Sequence, residues 1–86
     1  MKRVISFDSY EASAYDIVDG IYSFRAAPGV KSIEVLSAVE GSPKYAIVID
    51  VDDEQDAELS RRFEEMRAPY ASYLANYTSR AFRKVG

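Results

Sequence analysis

Two β-rich segments, Val30 to Glu40 and Lys44 to Asp52, are separated only by Gly41-Ser42-Pro43, and this spacing constrains the fold more than any other feature of the chain. If those three residues form the loop, Glu40 stands opposite Lys44, while Val39, Ser37, Val35 and Ile33 fall opposite Tyr45, Ile47, Ile49 and Val51. One face of the hairpin is then almost wholly apolar. A slip of one residue would turn that set to the other side, so the side chains fix which face is buried. The opposite face carries Glu34, Leu36, Ala38, Ala46, Val48 and Asp50, a mixture that is neither a solvent face nor a core.

Helical periodicity flanks the hairpin on both sides. Before it, the run Val4-Ile5-Ser6-Phe7 reads as a strand, and Asp8-Ser9 supplies helix-capping residue types. Ala14, Ile17, Val18, Ile21 and Phe24 or Arg25 then recur at three- and four-residue spacing, with Gly20 weakening the helix and Pro28-Gly29 ending it. After the hairpin, Asp52 and Gln55 have capping-box spacing, and Leu59, Phe63, Met66 and Tyr70 form one apolar stripe. Pro69 interrupts this stripe, so Tyr70 to Tyr77 is expected as a separate short helical segment, followed by a last strand over Ser79 to Val85. The order strand, helix, strand, strand, helix, strand is the split βαβ layout: one α+β domain over residues 1–86, ferredoxin-like, with two helices on one face of an antiparallel sheet.

Composition narrows the chemistry. The 86 residues make one small core, and a chain of this size is only marginally stable unless disulfides, metal or a partner subunit contribute. Cysteine and histidine are both absent, which removes disulfides and the usual zinc and haem ligands and leaves self-association as the expected supplement. The mixed second sheet face is the expected homodimer surface. A net charge of −3 argues against nucleic acid, and the strand starting Tyr45-Ala-Ile-Val-Ile-Asp lacks the basic, aromatic pattern of RNA-recognition domains of the same layout. No apolar run approaches the ~20 residues that cross a bilayer, and no signal-peptide core follows Met1-Lys2-Arg3, so a cytoplasmic protein is the expectation.

The element order over nearly the whole chain, Ala27-Pro28-Gly29-Val30 after the first helix, the hairpin, and the Ala68-Pro69-Tyr70 to Tyr77 segment together resemble the dimeric α+β-barrel superfamily. That superfamily includes muconolactone isomerases, cofactor-free antibiotic-biosynthesis monooxygenases and stress-responsive barrel proteins. The resemblance implies two sheets closing face to face, with a ligand cleft between each sheet and its helices. Haem-degrading and many other active members use His or Trp in that cleft. This chain has neither, and no catalytic residue of the superfamily can be placed on it.

Candidate site residues follow from composition and position. Seven tyrosines supply stacking surface and hydroxyl groups, and Tyr22, Tyr45 and Tyr70 fall near the helix–sheet seam, with Arg25 and Arg67 as fixed cations beside them. This set fits a small hydrophobic acid or phenol. The acidic run Asp50, Asp52, Asp53 and Asp56 lacks the glycine and final glutamate of a calcium loop and is assigned to capping and solvation, so no metal and no cofactor are expected. Serine and lysine occur without a histidine partner, and the four scattered glycines make no phosphate loop. Three roles remain in view: a ligand-binding module, a cofactor-free enzyme of isomerase or monooxygenase type, and a purely structural association module.

Overall fold

The computed structural model describes all 86 residues as a two-layer α+β sandwich. Strand β1 (Lys2–Asp8) leads into helix α1 (Glu11–Tyr22) and a 3₁₀ turn (Ser23–Ala26). The hairpin strands β2 (Val30–Ser37) and β3 (Tyr45–Val51) follow, then helix α2 (Asp53–Arg67), a second 3₁₀ turn (Ala68–Tyr73) and β4 (Ala75–Phe82). All neighbouring strands are antiparallel, in the order β2-β3-β1-β4. Both helices cover one face, and the molecule is accordingly only 16 Å thick along its shortest axis.

The core lies between this sheet and the helices. Strand β3 alternates strictly, with Tyr45, Ile47, Ile49 and Val51 buried and Ala46, Val48 and Asp50 only partly covered, as a strand packed on one side requires. Ile5 and Phe7 of β1, Ala14, Ile17 and Ile21 of α1, Phe24 of the first 3₁₀ turn, and Leu59 and Phe63 of α2 complete the apolar cluster. Gly20 has a positive role here: a Cβ at this position would stand 2.8 Å from Met66 Sδ, so the glycine lets α1 and α2 approach. Gly29 takes φ +80°, a left-handed conformation that other residues disfavour, and its carbonyl accepts the Asp52 N–H at 2.9 Å where the hairpin meets α2.

Four local expectations change. The hairpin register is offset by two residues: Ile33 pairs with Ile49, Val35 with Ile47 and Ser37 with Tyr45. The last hairpin hydrogen bond runs from Ala38 N–H to Lys44 O, so the loop is Val39 to Pro43 and Val39 is fully exposed rather than opposite Tyr45. Because the offset is even, each residue keeps its face. Second, helix N-caps are not made by side chains: Tyr10 and Asp52 occupy the two N-cap positions without side-chain hydrogen bonds, and the Asp52 carboxylate instead pairs with Lys31 at 3.2 Å. Third, β4 begins four residues early, so Tyr77 is in a strand. Asn76 at φ 54° marks a bulge in the β1–β4 pairing, after which Tyr77, Ser79 and Ala81 alternate with Thr78, Arg80 and Phe82. Fourth, Asp56 is not solvated. It is a buried residue of α2 itself and accepts two hydrogen bonds from Arg3 of β1, Nε at 3.1 Å and Nη2 at 2.5 Å.

Candidate functional site in the cleft between the first helix and the edge strand

β2 is an edge strand, and α1 does not fully cover it. The residues that share this space with Tyr45 include small ones: Ser37 lies directly across the ladder, and Ala14 is the buried residue of α1 that lines it. A cleft of about 440 Å³ remains, walled by Glu11, Tyr15, Val18 and Tyr22 from α1 and by Val35, Leu36 and Ser37 from β2, with Lys44 and Tyr45 at the start of β3. Tyr15, Val18 and Tyr22 share one helix face by their three- and four-residue spacing. Tyr45 is held rigidly as floor by its own burial and by a tilted contact with Phe7, ring centroids 5.7 Å apart.

The polar groups of the cleft have defined states. The Tyr15 hydroxyl donates to Glu11 Oε1 at 2.6 Å, and this bond to a carboxylate raises the Tyr15 pKa above the ordinary phenol value, so Tyr15 stays neutral. The Lys44 ammonium lies 5.5 Å from the centre of the Tyr45 ring. Its backbone is pinned by Asp8, whose carboxylate accepts the Lys44 N–H at 2.6 Å, the Asn76 side-chain amide at 2.7 Å, and the Ser42 hydroxyl. Those donors, the Ser42 hydroxyl foremost, hold the Asp8 carboxyl below the usual carboxylate range. One aspartate therefore anchors the hairpin loop and the start of β4, and with them the cation beside the cleft.

The structure brings together some of the residues singled out from sequence. Tyr22 and Tyr45 line the cleft, and the Arg25 guanidinium lies 4.6 Å from the centre of the Tyr22 ring. Arg67 and Tyr70 are not among its walls. Arg67 pairs with Glu64 and covers the Tyr77 ring at 4.0 Å, while the Tyr77 hydroxyl donates to Glu64 Oε1 at 2.6 Å. Burial alone would raise the Glu64 carboxyl, but the Tyr77 hydroxyl and the Arg67 guanidinium outweigh it and bring it below its ordinary value. Burial, reinforced by Glu64, pushes the Tyr77 phenol strongly upward. This triad is closed on itself. Tyr70 is half-buried against the apolar cluster. Lys44 and Glu11 are cleft residues to which the sequence does not point, and Tyr15 joins Tyr22 on the α1 wall. Lys44 was assigned to Glu40 across a three-residue loop, and only the two-residue offset frees it. The acidic run is likewise dispersed: Asp50 lies on the uncovered face, Asp52 pairs with Lys31, Asp53 with the N-terminus and Arg83, and Asp56 with Arg3.

Among solved structures, the crystal structure of a "Putative antibiotic biosynthesis monooxygenase" from Bordetella bronchiseptica superposes with a TM-score of 0.66 over 98% of this chain and 95% of that one. The two chains share one fold. Their sequences are 19% identical, so the likeness extends to the ferredoxin-like architecture expected from the resemblance to α+β-barrel proteins and no further. No protein-family model matches the chain, and no curated protein sequence does. No helix is long and apolar enough to cross a membrane.

Proposed function

We propose that the protein is a homodimer closed through its uncovered sheet face, and that each protomer binds a flat, mainly apolar molecule with an acidic or phenolic group in the cleft between α1 and β2. The cleft itself carries the reading. Its volume of about 440 Å³ falls within the roughly 300–1,000 Å³ of small-molecule sites, and seven of its ten lining residues are apolar or aromatic. Tyr22 lines the wall and Tyr45 the floor, Lys44 offers a cation with no carboxylate bound to it, and the Arg25 guanidinium lies over the Tyr22 ring. A hydrophobic carboxylate or phenolate would stack on the rings and direct its charge to Lys44.

Aromatic carboxylates and phenols should therefore raise the melting temperature, since a ligand at a hundred times its Kd stabilises the folded state by about 2.7 kcal/mol. Lys44→Ala should remove most of the carboxylate-induced shift while sparing that of the corresponding neutral amides, used as uncharged analogues of the same acids. Arg67→Ala, outside the cleft, should leave the shift intact relative to its own baseline. A broad panel with no stabilisation, or equal responses in the two variants, would reduce the protein to an association module.

A cofactor-free enzyme acting in the same cleft is the second reading, favoured by the hydrogen-bonded Glu11–Tyr15 pair on its wall and by the monooxygenase activity for which the Bordetella bronchiseptica protein is named. Turnover of a bound phenol that Tyr15→Phe abolishes without weakening binding would select it.

A further inference from the structure

The uncovered sheet face has a charge layout that specifies how two copies meet. Taken in the order β2-β3-β1-β4, three rows cross it: Ser32, Asp50, Lys2 and Phe82; then Glu34, Val48, Val4 and Arg80; then Leu36, Ala46, Ser6 and Thr78. A 2.7 Å hydrogen bond between the Ser6 and Thr78 hydroxyls confirms the alignment of the third row. On the helix side, Arg3, Arg61 and Arg67 are each paired with a carboxylate. On the open face Lys2, Glu34, Asp50 and Arg80 have no ionic partner within the protomer, and Arg80 rests over the Phe82 ring at 5.1 Å.

We infer that the two-fold axis of the homodimer runs parallel to the strands, so that β2 of one protomer lies over β4 of its partner and β3 over β1, placing Glu34 against the partner's Arg80 and Asp50 against the partner's Lys2. This rests on the homodimer reading above and goes beyond it by fixing the direction of approach. In the aligned class of sheet packing, two sheets face to face keep their strands within about 30° of each other and stand roughly 10 Å apart, which leaves an in-plane two-fold to run along the strands or across them. Along the strands, each residue meets its row-mate from the mirror position of the partner sheet. Val48 then covers the partner's Val4, and Ala46 covers the partner's Ser6, giving a small apolar centre. The opposite charges meet at the sheet margins, within reach of lysine and arginine side chains, as an apolar core with a polar rim requires. Across the strands, a two-fold through the second row sets Glu34 on Glu34 and Arg80 on Arg80. Moved by half a row, it sets Glu34 on Leu36 and Arg80 on Thr78, leaving both charges unanswered.

The same axis bears on the ligand cleft. Leu36 belongs both to the open face and to the cleft wall, and it meets the partner's Thr78 in this arrangement. The second copy therefore stands beside the cleft, so dimerisation and ligand binding should reinforce each other.

Charge reversal tests the register. Dimer dissociation constants of Glu34→Arg, Arg80→Glu and the double variant are measured by sedimentation at matched low salt, with circular dichroism confirming that each is folded. Each single reversal creates two like-charge contacts by symmetry and should weaken the dimer about tenfold or more, whereas the double variant should return to within about threefold of the parent. Asp50→Lys with Lys2→Glu is the weaker check, because these two residues also face each other across β1 and β3 within the protomer. A dimeric parent whose double variants are no better than the singles would overturn the register and leave the homodimer standing. A monomeric parent would overturn both.

Discussion

Replacing Phe63 with alanine should cost roughly 3–5 kcal/mol, as measured by the shift in urea midpoint at fixed protomer concentration. Phe63 is 2% exposed and sits at the centre of the α2 stripe, between buried Leu59 and half-buried Met66 and Tyr70. It is the largest side chain by which α2 holds the sheet. The cavity left behind could not collapse easily, because Ile47 and Ile49 are fixed by ladders on both sides and Gly20 already brings α1 close to Met66. A domain of this length has a total stability of only roughly 4–13 kcal/mol, so the loss would be a large share of it. An unchanged midpoint would mean that α2 presents another face to the sheet.

Asp56→Ala should be the second large loss, about 3 kcal/mol, through a different mechanism. The carboxylate is held by two hydrogen bonds from Arg3, and the two side chains are only 11% and 15% exposed. Without Asp56 the guanidinium keeps only a 3.4 Å bond to Ser79 Oγ and remains largely withdrawn from water. The cost is mainly that of a stranded charge, so removing both partners should be milder than removing one: Arg3→Met with Asp56→Leu should be more stable than Asp56→Ala alone. Additive losses in the double-mutant cycle would show that the pair carries no coupling.

The two large effects differ in how far the sequence foretells them. Phe63 is legible because apolar residues at helical spacing have one physical use in a small domain. The faces of β3 are legible for the same reason, with strict alternation from Tyr45 to Val51, and they survive the misjudged loop because a two-residue offset preserves which side each residue faces. Pairing partners are not protected in this way, and so Lys44 was matched with Glu40 and its place in the cleft was hidden. Arg3 and Asp56 lie 53 residues apart, and nothing local distinguishes Asp56 from the capping acids around it. Pro69 marks a new helical segment, which the chain makes as a six-residue 3₁₀ helix over Ala68–Tyr73, but the segment ends earlier than Tyr77 and the chain is back in the sheet at Ala75. Arg67 is expected beside a ligand from its position near the helix–sheet seam. In the structure its charge is already answered by Glu64 three residues earlier on the same helix.

The uncovered face shapes both the proposed assembly and the surroundings of the cleft, with Leu36 and Phe82 left 47% and 44% exposed. Sedimentation equilibrium combined with small-angle scattering at micromolar concentration addresses it directly. A face-to-face homodimer gives twice the 9.7 kDa protomer mass and a radius of gyration clearly above the protomer's 12.5 Å. A monomer mass with a radius near 12.5 Å would contradict the account.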